Sequence, residues 1–443
     1  MSNTQLILAG LLGAAMTARA ADTTIHSFKK LQLSDQFWSE GADFGDFNHD
    51  GKKDVASGPF WYEGPDFKTR HEYRAATKTS EIKKADGTKV TIPGWKGALS
   101  QENDYSDNFF TFVYDINGDG WDDIVVIGLP STDLRYYENP KGQKAADGSE
   151  HWIEHKVYKP LDNESPMWVD LNGDGKPEVV CNSEGYLGYV QPNWAAPTQP
   201  WKFHRITPHG SWHMYTHGIG YGDINGDGRN DLLEQNGWWE QPKSLEGDPQ
   251  WTFHAWPFAP GEGAAQMFGY DVNGDGLTDV VTCLNPHGYG LAWYEQYREN
   301  GDIKFRQHII MGKTPKDSKF GVKFSQPHAI ELVDMDGDGL KDIVTGKRFW
   351  AHGPSGDVEP NAAAVVYWFK LVRGPNNSAD FIPFLADDNS GVGTQVVVGD
   401  VNGDKLPDIV IGNKNGTFVL LHEAKQASPE EWQKAQPKPV SAP

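Results

Sequence analysis

Residues 271–279 read Asp-Val-Asn-Gly-Asp-Gly-Leu-Thr-Asp, and close relatives of this acidic stretch recur along the chain. They follow the pattern Asp-x-Asn/Asp-x-Asp-Gly-x-x-Asp, with small departures, and begin at Asp46, Asp115, Asp170, Asp223, Asp271, Asp334 and Asp400. Successive starts are 48 to 69 residues apart. Seven near-matches at such spacing indicate an internal repeat, so the fold is expected to use one structural unit seven times.

Each acidic stretch lies between two apolar runs, which indicates a β-hairpin whose turn contains the acids. In unit five an aromatic run, LAWYEQ over 291–296, comes next, and KFRQHIIM over 304–311 follows it. The other units show similar runs. Four strands per unit at this period predict an all-β fold, a seven-bladed β-propeller.

The two ends of the repeat region indicate how the ring closes. Unit seven ends at GTFVLLH, residues 416–422, without a fourth strand, whereas IHSFKKLQL over 25–33 resembles the fourth strands of other units. We therefore expect the N-terminal strand to complete the last blade and hide both sheet edges. The propeller should span 21–424, and 425–443 should form a disordered tail. Cys181 and Cys283 fall in equivalent strands of units three and five, too far apart to form a disulfide.

The N-terminus and the overall charge bear on location and partners. The apolar run from Leu6 to Ala15, followed by Ala18-Arg19-Ala20, predicts a signal peptide over 1–20 and a secreted or periplasmic protein. No later segment has the roughly 20 apolar residues of a transmembrane helix. The net charge of −21 argues against nucleic acid as a partner. The oligomeric state is left open.

The acidic loops have the composition of calcium sites. Carboxylate and amide oxygens at positions 1, 3, 5 and 9 of a tight turn are hard ligands that suit Ca²⁺. An EF-hand is rejected, because six of the seven loops lack Glu at position 12. The alternative is that some loops are Asx-turns without metal. The expected structural calcium ligands are Asp46, Asn48, Asp50, Asp54, Asp115, Asn117, Asp119, Asp123, Asp170, Asn172, Asp174, Asp223, Asn225, Asp227, Asp231, Asp271, Asn273, Asp275, Asp279, Asp334, Asp336, Asp338, Asp342, Asp400, Asn402, Asp404 and Asp408.

A functional site is expected where the first strands of all blades converge. Six residues before each loop, at the end opposite the acids, lie Glu40, Phe109, Glu164, His217, Ala265, His328 and Thr394. A purely structural ring would be small or apolar, whereas this one contains two His and two Glu. We predict that Glu164, His217 and His328 hold a catalytic divalent metal, Zn²⁺ or Mg²⁺.

Further candidates lie near the same rim. His217 and His328 are predicted to be catalytic at the metal, and His287, or another His of the rim, to serve as general base. Tyr215 is predicted to act as a proton donor or substrate contact, and Lys347 and Arg348 to hold a carboxylate, an enolate or sugar hydroxyls. His213, Trp238, Asn413 and Lys414 are predicted to contact the substrate, Trp238 by stacking on a sugar face. The alternative for any one His is a hydrogen-bonded structural residue.

The repeats resemble the FG-GAP/VCBS repeats of integrin-like propellers. A narrower similarity, in THGIGYGDINGDGR (216–229) and SQPHAIELVDMDGDGLKDIVTGKRFWAHGP (325–354), is to the propeller domain of fungal aldos-2-ulose (1,5-anhydro-fructose) dehydratases. That resemblance implies β-elimination on a sugar, with His217 and His328 near a metal. The fungal enzymes continue into cupin domains for an isomerising step, which we do not expect of this chain.

Two functions of different classes follow. The first is a secreted carbon–oxygen lyase or dehydratase that performs metal-assisted β-elimination on a carbohydrate substrate, either a keto-sugar of the anhydro-fructose or ketoglycoside type or a uronide. The second is a non-catalytic, calcium-stabilised propeller that binds glycans or proteins, like an integrin adhesion module. A His/Glu ring favours the first, because a binding module does not need one.

Overall fold

The computed structural model describes residues 23–84, 86–93, 105–144, 150–261 and 263–440. The signal peptide predicted over 1–20 lies outside the described residues. Among those residues, no helix is long and apolar enough to cross a membrane. The strands confirm the predicted all-β class. Within the described ranges they form three four-stranded sheets, one seven-stranded sheet, one eight-stranded sheet and one two-stranded hairpin, and consecutive strands group into antiparallel sets of four.

Each set follows chain order, except that the last borrows its fourth strand from the N-terminus. The first three sets are β2 (Ala42–Gly45), β3 (Asp54–Ser57), β4 (Phe60–Tyr62) and β5 (Arg70–Glu72); β8 (Phe110–Tyr114), β9 (Asp123–Ile127), β10 (Thr132–Glu138) and the start of β11 (Ile153–Val169); and the end of β11, β12 (Glu178–Ser183), β13 (Tyr186–Gln191) and β14 (Lys202–Arg205).

The remaining sets are β15 (Ile219–Gly222), β16 (Asp231–Glu234), β17 (Gly237–Glu240) and β18 (Thr252–Ala255); β19 (Gln266–Tyr270), β20 (Asp279–Cys283), β21 (Leu291–Glu299) and β22 (Asp302–Met311); β23 (Ile330–Val333), β24 (Asp342–Gly346), β25 (Val366–Arg373) and β26 (Ala379–Asp387); and β27 (Val396–Gly399), β28 (Asp408–Asn413), β29 (Gly416–Gln426) and β1 (Thr24–Ser34). A separate hairpin joins β6 (Thr79–Lys83) to β7 (Lys89–Pro93), and two single-turn 3₁₀ helices cover Pro315–Asp317 and Pro375–Asn377.

The first strands of the sets lie side by side in a curled arrangement. β15 pairs in parallel with β19, and β23 contacts both β19 and β27. β27 also contacts β2, which in turn contacts β8, so the two ends of the series meet. The ring of Phe112 in β8 stacks on Trp168 in β11. The result is a propeller-like sheet architecture in which the beginnings of distant strands become neighbours.

The N-terminal strand completes the last set, as the sequence predicts. β1 runs antiparallel to β29 from the pair Thr24–Gln426 to the pair Ser34–Thr417. Beyond β29 the structure differs from the prediction of a disordered tail. The strand continues through Gln426, and Pro429–Ala435 then form a short helix, α1, capped by the Ser428 hydroxyl, which accepts a bond from the Glu431 amide. The capping box and Pro at the first turn account for this helix.

The acidic loops each join the first and second strands of a set. In the loop that begins at Asp271, the backbone amides of Asp275 and Gly276 donate to the Asp271 carboxylate. The position-9 acid, Asp279, is fully buried and accepts from the amides of Val272 and Gln296 at 2.9 and 2.7 Å. The Asp279 carboxylate therefore links the loop to β21, the third strand of its set. Cys181 and Cys283 are buried and free, as predicted.

Candidate metal centre at the hub of the sheets

Four side chains predicted from the sequence to be functional meet at the centre of the ring of first strands, which we call the hub. The Nε2 atom of His217 lies 3.1 Å from Nε2 of His328 and 3.1 Å from Nε2 of His287. Oε2 of Glu164 lies 3.4 Å from Nε2 of both His217 and His328. The four ligand atoms all fall within 4.8 Å of one another. Residues up to 164 positions apart in sequence thus form one cluster.

The strand geometry explains this convergence. His217 and His328 precede β15 and β23, Glu164 lies within β11, and His287 lies in the turn from β20 to β21. The Glu164 backbone amide donates to the Thr216 carbonyl at 2.9 Å. This bond links β11 to the segment that precedes β15, beside His217. The cluster is therefore built on strand ends of a rigid scaffold.

The backbone of Gln326 links the segments that carry His287, His328 and Arg348. Its amide donates to the Gly288 carbonyl at 2.7 Å, and its own carbonyl accepts from the amides of His328 and Arg348. The residue is fully buried and has φ of 60°, a left-handed conformation that costs a non-glycine residue free energy. This backbone position has no counterpart in the repeat pattern, and the sequence prediction missed it.

Two histidines of the cluster, His287 and His328, are held in their neutral form. Burial and the neighbouring Arg348 guanidinium lower the pKa of His328 to about 3. Burial, followed by the neighbouring His328 and His217, also lowers the pKa of His287 far below its ordinary value. Although burial opposes it, hydrogen bonding to His217 and His328 keeps the pKa of Glu164 well below the usual range. Neutral imidazoles and an ionised carboxylate are the ligating forms of these side chains.

Arg348 and Glu40 form a second layer beside the cluster. The guanidinium is fully buried, contacts Glu40 Oε2, and approaches Nε2 of His328 at 2.9 Å and Oε2 of Glu164 at 3.4 Å. The two carboxylates of Glu40 and Glu164 and the guanidinium of Arg348 together give this part of the hub a net negative charge. Buried Nδ1 atoms of His287 and His328, Nε of Arg348 and Oε1 of Glu40 have no hydrogen-bond partner among the described residues.

The donor set fits a zinc-like transition metal. Ligands 2.0–2.1 Å from a tetrahedral ion are about 3.3 Å apart, close to the 3.1–3.4 Å between four of the six ligand pairs, and all pairs lie within 4.8 Å. Three imidazole nitrogens and one carboxylate oxygen suit zinc, whereas Mg²⁺ prefers an octahedron of oxygen ligands. His287, predicted from the sequence as a base, contributes its Nε2 atom to this set.

A polar cavity of about 320 Å³ opens beside His217. His213 and Tyr215, both predicted to act near the ring, line it together with Trp212, and Tyr215 is 41% exposed. Nδ1 of His213 accepts the Tyr215 amide at 3.2 Å, so a neutral His213 has its proton on Nε2. Gln235 and Asn236 add further polar groups. The cavity therefore joins the metal cluster to a surface with aromatic and hydrogen-bonding groups.

Other predicted substrate contacts are placed elsewhere, which corrects the sequence interpretation. Trp238 is buried and stacks on His254 with ring centroids 4.0 Å apart, so its face is not available to a sugar. Asn413 is buried and donates to the Ser390 carbonyl. Lys414 is buried and donates to the Trp350 carbonyl at 2.6 Å. These three side chains have structural contacts.

Lys347 also differs from its predicted role. It is fully buried, and its Nζ donates to Ser325 Oγ at 2.6 Å and to the Val358 carbonyl at 3.3 Å. Burial lowers its pKa to about 8. Its contacts anchor the connection between β24 and β25 and leave Arg348 as the cation beside the metal cluster.

Family models confirm the repeat. A model of the FG-GAP-like repeat matches residues 115–181, 170–234 and 271–345, and a model of the FG-GAP repeat matches 392–426. The chain thus contains FG-GAP repeats. Integrin alpha-PS5 of Drosophila melanogaster is 33% identical over 102 residues, which are 21% of this chain and 10% of that protein. The match therefore spans about a tenth of the integrin's length.

Similar solved structures are distant. One is an Agrocybe aegerita lectin described as recognising non-reducing terminal N-acetylglucosamine, with 16% identity and a TM-score of 0.41 over 90% of this chain and 86% of that chain. Another is the exotype rhamnogalacturonan lyase YesX, with 12% identity and a TM-score of 0.39 over 90% of this chain and 72% of that chain.

Proposed function

We propose that this chain, an FG-GAP-type β-propeller, is a secreted or periplasmic carbon–oxygen lyase that performs metal-assisted β-elimination on a sugar, and that its strands form seven blades. The observation on which this rests is the cluster of Glu164, His217, His287 and His328, whose ligand atoms meet within 4.8 Å beside an open polar cavity. A sugar with a carbonyl next to the cleaved C–O bond would suit such a centre, either a keto-sugar or a uronide.

The four cluster residues would hold a zinc ion, which when bound would polarise a carbonyl oxygen of the substrate as an additional ligand, because zinc can expand from four to five ligands. Nε2 of His328 has one lone pair, so it would either accept a hydrogen bond from the Arg348 guanidinium or bind the ion, but not both. With the ion in place, Arg348 would pair with Glu40 and Glu164. The two carboxylates, the guanidinium and a divalent ion would sum to a charge of +1, which favours an oxyanion on the substrate.

The residues of the cavity would then move the protons. Tyr215, as its phenolate, would take the proton from the carbon next to the carbonyl and pass it to the leaving oxygen, while the Nε2–H of His213 would hydrogen-bond the substrate. The C–H and C–O bonds break, a C=C bond forms, and the leaving group departs as water or an alcohol. Because the proton removed from the carbon goes to the leaving oxygen, Tyr215 returns to its phenolate form and His213 is unchanged.

The experiment is an ultraviolet assay for the conjugated product. Zinc-loaded protein is incubated with 1,5-anhydro-fructose, a 3-keto-glycoside and a uronide polymer, and absorbance of the new enone or unsaturated uronide is followed. Turnover of one substrate, lost in His217→Ala and His287→Ala, is expected. Sugar binding without any product would instead support a binding module, the function that the partial integrin similarity favours.

We also propose that calcium binds the acidic loops. Side-chain oxygens at positions 1, 3 and 5 lie on one tight turn in each, and those of Asp334, Asp336 and Asp338 are within 4.8 Å of one another. In this loop Lys370 contacts Asp336 and lies 2.9 Å from Asp338, so its ammonium would compete with the ion. EGTA should lower the Tm in a way that added Ca²⁺ reverses, and an unchanged Tm would count against occupied loops.

A further inference from the structure

The connection between β24 and β25 brings one more histidine to the metal cluster. The ring centroid of His352 lies 4.6 Å from that of His287, and the two rings are inclined by 49°. His352 does not belong to the group of metal-ligating atoms, and its side chain is 43% exposed. It therefore borders the cluster on a side that solvent reaches.

Asp357 fixes the position of this histidine. Its Oδ1 accepts the His352 amide at 2.8 Å and lies 3.4 Å from Nδ1 of the same residue. The Asp357 side chain itself is fully buried. A buried carboxylate that holds both the backbone and the ring of one histidine restricts the orientation of that ring, so Nε2 is directed by the protein and not by solvent.

The connection is anchored on both sides. Trp350 Nε1 donates to the Pro360 carbonyl at 3.2 Å, and the Trp350 carbonyl accepts from Lys414. Ser325 Oγ donates to the Val358 carbonyl at 2.8 Å, and Lys347 donates to Ser325. Lys347, predicted from the sequence as catalytic, and Lys414, predicted as a substrate contact, thus hold the connection that carries His352.

A buried amide oxygen without a protein partner lies next to the cluster on the side of His352. The side-chain amide of Gln326 hydrogen-bonds to the buried Asp357 carboxylate, whereas Oε1 of Gln326 is buried and has no hydrogen-bond partner among the described residues. Gln326 lies two residues before His328, within the cluster's backbone network. Buried polar groups are almost always satisfied in folded proteins, by a ligand or water where protein groups do not serve.

We propose that His352, oriented by Asp357, is a substrate-contacting residue that hydrogen-bonds a hydroxyl group of the sugar bound at the metal cluster. The inference rests on the proposed function for the identity of the ligand. It assigns specificity to the β24–β25 connection: a sugar with a hydroxyl next to the metal-facing carbonyl would bind, and its deoxy analogue would bind more weakly.

The test measures sugar binding and metal binding separately, by calorimetry on the full chain. Zinc is titrated first, and 1,5-anhydro-fructose is then titrated into the zinc-loaded protein. His352→Ala should weaken sugar binding about tenfold or more while zinc stoichiometry and affinity stay unchanged. His352→Gln, which keeps a hydrogen-bonding group, should recover part of the affinity, and Asp357→Asn should fall between the two.

A matched control is His308→Ala, which removes a histidine that stacks on Trp293 in an outer strand. It should leave both titrations unchanged. Equal sugar affinity in wild type and His352→Ala, loss of zinc in His352→Ala, or no sugar binding by the wild type would each overturn the inference. If the wild type binds the sugar through His352 but forms no enone, the proposed lyase function fails and the inference stands.

Discussion

At the scale of single residues, two half-buried acids, Asp43 and Glu331, share a cavity formed by the first strands. Asp43 and Glu331 line a cavity of about 210 Å³ together with Tyr221 and aromatic side chains of several first strands. Burial raises the pKa of each acid to about 7, and for Asp43 the nearby Glu331 and Asp122 add to the shift. Lys341 acts in the opposite direction on Glu331. Ionisation of these acids therefore opposes folding.

Glu331→Gln should stabilise the protein in a pH-dependent way. The carboxyl group ionises near pH 4.3 in the unfolded chain and near pH 7 in the folded one, so wild-type stability falls as the pH rises between these values. Glu331→Gln has no carboxyl group to ionise at this position, so it lacks this loss of stability. Its free energy of unfolding should match the wild type near pH 4 and exceed it by up to about 3 kcal/mol at pH 8.

Urea unfolding at several pH values measures this difference. Glu299→Gln is the control, because Glu299 is exposed and pairs with Lys304 at the surface. It should change stability little at any pH. A constant difference between Glu331→Gln and wild type from pH 4 to pH 8 would contradict the predicted titration.

The candidate site was partly predictable from these single residues. Glu164, His217 and His328 were identified because they occupy equivalent positions in the repeat, and strand geometry brings equivalent positions together. His287 was identified near the rim, but its place in the donor set depends on the shape of a turn. His352 lies in a long connection without a repeat equivalent, so no periodic signal marked it.

At the scale of elements, outer-strand histidines show why Trp238 was misassigned. In five sets an outer-strand histidine stacks on a third-strand aromatic ring, in the pairs Trp61–His71, Tyr136–His155, Tyr189–His204, Trp238–His254 and Trp293–His308. In each described pair the histidine also contacts a carboxylate. The aromatic and histidine residues of these strands thus pack against each other within the sheets. Composition alone does not distinguish this packing role from a role in sugar binding.

The position-9 acids make a testable contribution to each loop. Asp279→Ala would leave the buried amides of Val272 and Gln296 without an acceptor, which should lower the free energy of unfolding by about 2–5 kcal/mol. Asp279→Asn keeps one acceptor oxygen and should lose less. Urea unfolding in EGTA measures the effect without calcium. Loss of the difference in EGTA would show that Asp279 acts through the ion instead.

The loop of the last set departs from the glycine pattern. Lys405 takes the place of Gly and has φ of 73°, whereas Gly339 in the equivalent position has φ of 91°. Lys405→Gly should therefore stabilise the protein by about 0.5–1 kcal/mol, because glycine adopts this conformation without strain. Gly339→Lys is the matched reverse change and should destabilise by a similar amount. Chemical unfolding that shows the opposite signs would refute the strain argument.

At the scale of the whole molecule, the sequence predicted which ends meet. The missing fourth strand of unit seven and the unpaired strand before unit one had the same pattern, and β1 pairs with β29. The helix α1 was not predicted, because its seven residues lack the periodic apolar pattern of longer helices. Closure joins residues about 400 positions apart, so the stability of the hub should depend on a strand far from it.

Deletion of residues 1–34 tests this dependence. The variant would begin at Asp35 and leave the edge of β29 unpaired, including the partners of Phe28 and Leu31. We expect the Tm to fall by at least about 10 °C, and aggregation through the exposed edge. A synthetic peptide of residues 23–34 should restore much of the Tm, whereas a scrambled peptide should not. An unchanged Tm would mean that the remaining strands hold the ring together without β1. Zinc affinity measured on the same variant would show whether the metal cluster requires the pairing of β1 with β29.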